Sequence, residues 1–75
     1  MEQGFAPFRK ALHDLKQPLN VIRLASGNIG DRLDGKIGRE EWQYLSDKLQ
    51  RIDEQTLRAA RQIDALLASI ESGLQ

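Results

Sequence analysis

The chain has 75 residues, 40% of them hydrophobic, with only two Phe, one Trp and one Tyr, which is too little to enclose a large core without a partner. Eleven Lys and Arg balance eleven Asp and Glu, and the isoelectric point lies near 6.6, so nucleic-acid binding through a strong positive field is excluded. The absence of cysteine excludes disulfides and thiolate metal sites and fits a reducing, cytoplasmic setting. No run approaches the roughly 18 apolar residues of a membrane span, and the N-terminus has no apolar signal-peptide region. A soluble segment is expected, with no direct membrane contact, in a parent protein that is either soluble or membrane-anchored.

The first predicted element is a helix over roughly residues 4–32, because apolar residues recur there in steps of three and four. The series runs through Phe5, Phe8, Leu12, Leu15, Leu19, Ile22, Ser26, Ile29 and Leu33. Gly27 and Gly30 each cost about 1 kcal/mol relative to Ala in a helix, so its end is expected to loosen near Gly30. A turn is predicted over roughly residues 33–38, where Asp34-Gly35 supplies turn chemistry and Gly38 is suited to cap the next helix.

The second helix is predicted over roughly residues 39–72, with Glu40 and Glu41 in its positive first turn and Ile37 able to staple onto Trp42. Its apolar series is Trp42, Leu45, Leu49, Ile52, Thr56, Ala59, Ile63, Leu66 and Ile70. A spacing near 3.5 residues is the mark of helices packed almost parallel as in coiled coils, and so short a connection makes the two antiparallel neighbours. The fold class expected is all-α, a single helical hairpin over residues 1–75. One hairpin leaves part of each seam in water, so two hairpins are expected to join as a homodimeric four-helix bundle. Ser26, Thr56 and Ala59 read either as tolerated small core positions or as weak layers that permit helix movement.

The one histidine, His13, follows the core position Leu12 and so belongs on the flank of the seam. A neutral imidazole there can attack a phosphorus atom, and the neighbouring Asp14 can accept the other ring N–H and fix the tautomer. Gln17, one turn on, offers an amide to orient a water or a phosphoryl oxygen. Arg9, Lys10 and Lys16 either lend charge to phosphate oxygens or are ordinary solvated flank residues. Pro18 in mid-helix removes a backbone hydrogen bond and costs about 3 kcal/mol, which calls for a reason. A metal site is not expected, because one histidine and no Glu-x-x-His pair leave too few ligands.

Residues 13–19, His-Asp-Leu-Lys-Gln-Pro-Leu, resemble the H box of sensor histidine kinases, in the variant with Gln before Pro. The resemblance covers the helix, motif, turn and second helix in architecture, while only His13 to Ile22 is specific. It implies a dimerisation and histidine-phosphotransfer domain in which His13 is the phosphoacceptor, Asp14 orients or activates it and Pro18 is a hinge. The phosphoryl group would come from ATP with Mg²⁺ held on a kinase catalytic domain and pass to an aspartate on a response-regulator receiver domain. Family members with Thr or Asn in place of Gln17 use it to aim a hydrolytic water, so the Gln is a departure as well as a match. The receiver is expected to dock below the histidine, on Asn20, Val21, Leu24, Arg51 and Gln55. With no Gly-rich nucleotide loop and no strands, the chain itself is expected to bind no cofactor and to lack ATP-binding and sensor domains, as a piece of a larger kinase.

Two other readings remain open from the sequence. One is a coiled-coil hairpin that only pairs larger subunits, with His13, Gln17 and Pro18 incidental. The other is a free-standing histidine phosphotransfer protein of the same bundle type.

Overall fold

The structure, a computed structural model, describes residues 2–74, and the side chains of residues 6–73. Two helices follow one another, α1 (Glu2–Leu33) and α2 (Arg39–Leu74), and pack side by side as a hairpin of 57 × 15 × 11 Å. No strand occurs among the described residues. The fold is therefore the all-α helical hairpin expected from the two apolar series. α2 carries no Gly or Pro between Arg39 and Ser72, so its backbone preference and its apolar period agree along almost its whole length.

The turn is built by local chemistry. Gly35 has φ of 75°, a left-handed conformation that glycine adopts without a Cβ clash, and the Lys36 N–H donates to the Leu33 carbonyl at 2.9 Å. Gly38 caps α2, its carbonyl accepting the first helical bond from the Trp42 N–H at 2.9 Å. The Glu41 carboxylate folds back over Gly38 and fills the space a Cβ would take, as the third-residue acid of a capping box does. Ile37 and Trp42 are both half-buried beside it.

The first helix does not loosen at Gly30. α1 continues to Leu33, and the Gly30 carbonyl accepts from the Asp34 N–H at 3.0 Å. The reason is a close approach of the two helices, since a Cβ at residue 30 would stand 3.3 Å from Leu49 Cδ1. The missing side chain that lowers helix propensity is what lets Leu49 pack against the α1 backbone.

Every described α1 side chain that is not exposed falls on one series with steps of three and four: Arg9, Leu12, Lys16, Leu19, Arg23, Ser26, Gly30 and Leu33. The facing series on α2 includes Trp42, Ser46, Leu49, Asp53, Thr56, Ala60, Ile63, Leu67 and Ile70. Leu12, Ile63 and Leu67 form the buried cluster, with Leu19 and Ile70 against it. Thr56 is buried with its hydroxyl satisfied, donating to the carbonyls of Ile52 and Asp53 at 2.9 Å each. Ion pairs cross the same seam: Lys16 Nζ reaches Asp64 at 2.7 Å and Arg23 Nε reaches Asp53 at 2.9 Å.

The apolar series expected as one seam is thus two stripes. Phe8, Leu15, Ile22 and Ile29, seven residues apart, are 52, 53, 44 and 49% exposed. On α2, Ile52 and Leu66 are 40 and 49% exposed, while Leu45 and Ala59, on the same seven-residue repeat, are half-buried. Leu67, not Leu66, enters the hairpin core. A helix packed against a single neighbour covers only part of a broad apolar face, and these residues form the part left uncovered. Phe5 lies outside the described side chains.

Candidate functional site

His13 sits about three turns into α1, immediately after the buried Leu12, and its imidazole is exposed. Successive helical residues turn by about 100°, so a residue next to a core position stands on the flank of the packed seam, reachable from solvent. Gln17, one turn further, is exposed too. Leu12 anchors the helix from below, and Lys16, one turn on, ties it to α2 through Asp64.

Asp14 is exposed and engaged with Lys10, not with the histidine. Lys10 Nζ donates to the Asp14 carboxylate at 2.9 Å across one helical turn. The hydrogen bond to Asp14, and then its charge, holds the Lys10 ammonium above its ordinary value of 10.5. Lys10 takes only the Oδ2 oxygen, so a role of Asp14 toward His13 falls to Oδ1 or follows a swing of the carboxylate. The Lys10 and Asp14 side chains are largely in water, where such a pair is weak and exchanges readily.

α1 passes through Pro18, and through Pro7, without interruption. Pro18 has no N–H, so the Asp14 carbonyl lacks its usual helical donor one turn from His13. The missing bond lowers the cost of bending α1 at this level.

Of the residues expected to meet a partner, Asn20 and Leu24 line a hollow of about 400 Å³ with Arg23 and Asp53. Leu24 is 69% and Val21 58% exposed. Arg51 and Gln55 are exposed, Arg51 Nε lying 3.5 Å from the Asp47 carboxylate, and neither lines that hollow. A neighbouring groove of about 320 Å³ toward the turn is floored by Ser26, Gly27 and Gly30 and walled by Trp42, Leu49 and Gln50. Sequence periodicity placed Trp42 and Leu49 of the groove on the α2 seam but missed Gln50 and Asp53, which are polar and carry no apolar signal. The spacing of Asp53 four residues beyond the seam residue Leu49 is what could have found it.

Among the described residues no three His, Cys, Asp or Glu side chains cluster closely enough to hold a metal ion. Neither helix is long and apolar enough to cross a membrane.

No protein-family model matches the chain, and no solved structure does. A stretch of 54 residues is 39% identical to part of the Two-component sensor PprA of Pseudomonas aeruginosa. The match takes in 72% of this chain and 6% of that protein, so the chain corresponds to a small part of its relative's length. It is related in sequence to a segment of a two-component sensor.

Proposed function

We propose that this chain is the dimerisation and phosphoacceptor region of a sensor histidine kinase. The observation that carries the reading is the position of its one histidine, exposed on the flank of a helical hairpin directly after a buried leucine and within an H-box-like string. Similarity to a segment of a two-component sensor supports the same class.

In the proposed reaction, ATP and Mg²⁺ are held by a kinase catalytic domain. A lone pair on one ring nitrogen of neutral His13 forms the N–P bond. The bond from the γ-phosphorus to the bridging oxygen breaks, and ADP leaves with that electron pair. The other ring nitrogen then gives up its proton, with the Asp14 carboxylate as acceptor. Gln17 orients a water or a phosphoryl oxygen from the next turn. The phosphohistidine passes its group to a receiver-domain aspartate, docked on Asn20, Val21, Leu24, Arg51 and Gln55, and Pro18 lets α1 bend between the two partners.

The uncovered stripe supports a homodimer. Six large apolar side chains, Phe8, Leu15, Ile22, Ile29, Ile52 and Leu66, lie 40–53% exposed along one face. Two such faces brought together by a two-fold axis make the four-helix bundle, and the hairpin's own core of three buried hydrophobic residues gains the layers it lacks.

A relay experiment tests the scheme. The chain, labelled by a kinase catalytic domain and Mg-ATP, is chased with a receiver domain. Transfer should convert acid-labile, base-stable phosphate on the chain into base-labile phosphate on the receiver. Label that stays on the chain, with a receiver known to be active, would remove the relay step from the proposal.

A further inference from the structure

Three cationic side chains lie within about one turn of His13 on α1, and two of them are committed. Lys10 donates to Asp14 at 2.9 Å, and Lys16 to Asp64 at 2.7 Å. Arg9 is different: its Nε is buried and has no hydrogen-bond partner among the described residues. Buried polar groups in folded proteins are nearly always paired, and an unpaired one marks a strained position or a group waiting for a ligand.

The pattern along α1 sharpens the point. Arg9, Lys16 and Arg23 are seven residues apart, and the last two cross to acids on α2, Asp64 and Asp53. The acid seven residues beyond Asp64 is Glu71, which is exposed and makes no ion pair with Arg9. The ladder of charges therefore stops one rung short, and it stops one turn from the histidine.

We propose that Arg9 binds the phosphoryl group on His13, its guanidinium donating to the phosphoryl oxygens. Residues four apart on a helix have their Cβ atoms within about 5–6 Å, well inside the reach of an arginine. The planar guanidinium fork matches phosphate geometry, and a half-buried stem fixes its direction. This assignment rests on the reading of His13 as phosphoacceptor.

The test uses the whole chain and potassium phosphoramidate, a kinase-independent donor. The imidazole nitrogen attacks phosphorus, the P–N bond of the reagent breaks, and ammonia leaves carrying the displaced ring proton. Because His13 is the one histidine, every phosphohistidine ³¹P resonance, from either ring nitrogen, reports on that site and can be titrated. A guanidinium on the phosphoryl oxygens favours the dianion, so the phosphoryl pKa should rise by about one unit in Arg9→Gln relative to wild type. Arg9→Lys should restore most of the difference. The other charges nearby, Lys10, Asp14 and Lys16 on α1 and Asp64 and Glu71 on α2, are common to all three chains.

Circular dichroism checks that each variant is folded, and Arg9→Met, which keeps the apolar stem and removes the charge, carries the comparison if Arg9→Gln is not. Equal titration of wild type and Arg9→Gln would overturn the assignment and leave Arg9 as an unfinished rung toward Glu71. Parallel labelling with a kinase catalytic domain and Mg-ATP separates the two levels. No label on His13 by that route removes the functional reading, while label with an unmoved titration removes Arg9 alone.

Discussion

Ile22→Ala probes whether the uncovered stripe is an interface. Ile22 is 44% exposed in the hairpin, so a second copy would cover roughly the remaining half of its side chain. Full truncation of a buried Ile costs about 2–5 kcal/mol, which scales to about 1–2 kcal/mol for the part covered only on dimerisation. A two-fold axis presents the site twice, so the dimer should weaken by about 2–4 kcal/mol, a rise in dissociation constant of roughly 30-fold to several-hundred-fold. Sedimentation velocity over a dilution series reads this directly. Leu24→Ala is the control, because Leu24 is 69% exposed but lies off the stripe. A wild-type chain that stays monomeric at high concentration, or two variants that dissociate alike, would refute the reasoning.

Four further outcomes concern the hairpin itself. Gly27→Ala should stabilise it by about 0.5–1 kcal/mol, seen as a higher Tm, because a Cβ there meets nothing within 4 Å. Gly30→Ala should gain less than Gly27→Ala, since its Cβ would stand 3.3 Å from Leu49 Cδ1. Leu67→Ala should cost about 2–4 kcal/mol in denaturant unfolding, against about 0.5 kcal/mol or less for Val21→Ala, as Leu67 is buried and Val21 is 58% exposed. A double-mutant cycle on Arg23 and Asp53 should return a coupling of only about 0.5–1 kcal/mol, because these side chains remain 39 and 51% exposed.

Period and turn chemistry made most of the architecture legible in the sequence. Asp34-Gly35 and Gly38 mark the turn and the cap, and the alternation of three- and four-residue steps marks both helices. What apolar periodicity could not show is which half of each apolar face the hairpin uses. The α1 seam includes Arg9, Lys16, Arg23 and Gly30, whose stems or missing side chains pack while their character hides them from a hydrophobic count. Leu66 and Leu67 are adjacent and alike in composition, and the choice between them depends on the direction of one neighbouring helix. Gly30 was misleading for the same reason, since a helix-weakening residue becomes favourable where another helix needs the room.

At the candidate site, the position of His13 on the seam's flank follows from its place after Leu12. The engagement of Asp14 does not follow from the motif. An acid with a lysine four residues earlier and a histidine beside it has two possible partners, and helix geometry favours the one on its own face. The hollow beside Asn20 and Leu24 likewise takes its second wall from Asp53, a residue whose contribution depends on the register between helices.

The most direct measurement is to incubate the wild-type chain and His13→Gln with a kinase catalytic domain and Mg-ATP, then locate the phosphate by peptide mass spectrometry at neutral to basic pH. Acid-labile, base-stable phosphate on the His13 peptide of wild type, absent from His13→Gln, is the result the account predicts. A folded wild-type chain that takes no phosphate from a catalytic domain active on another substrate would contradict it.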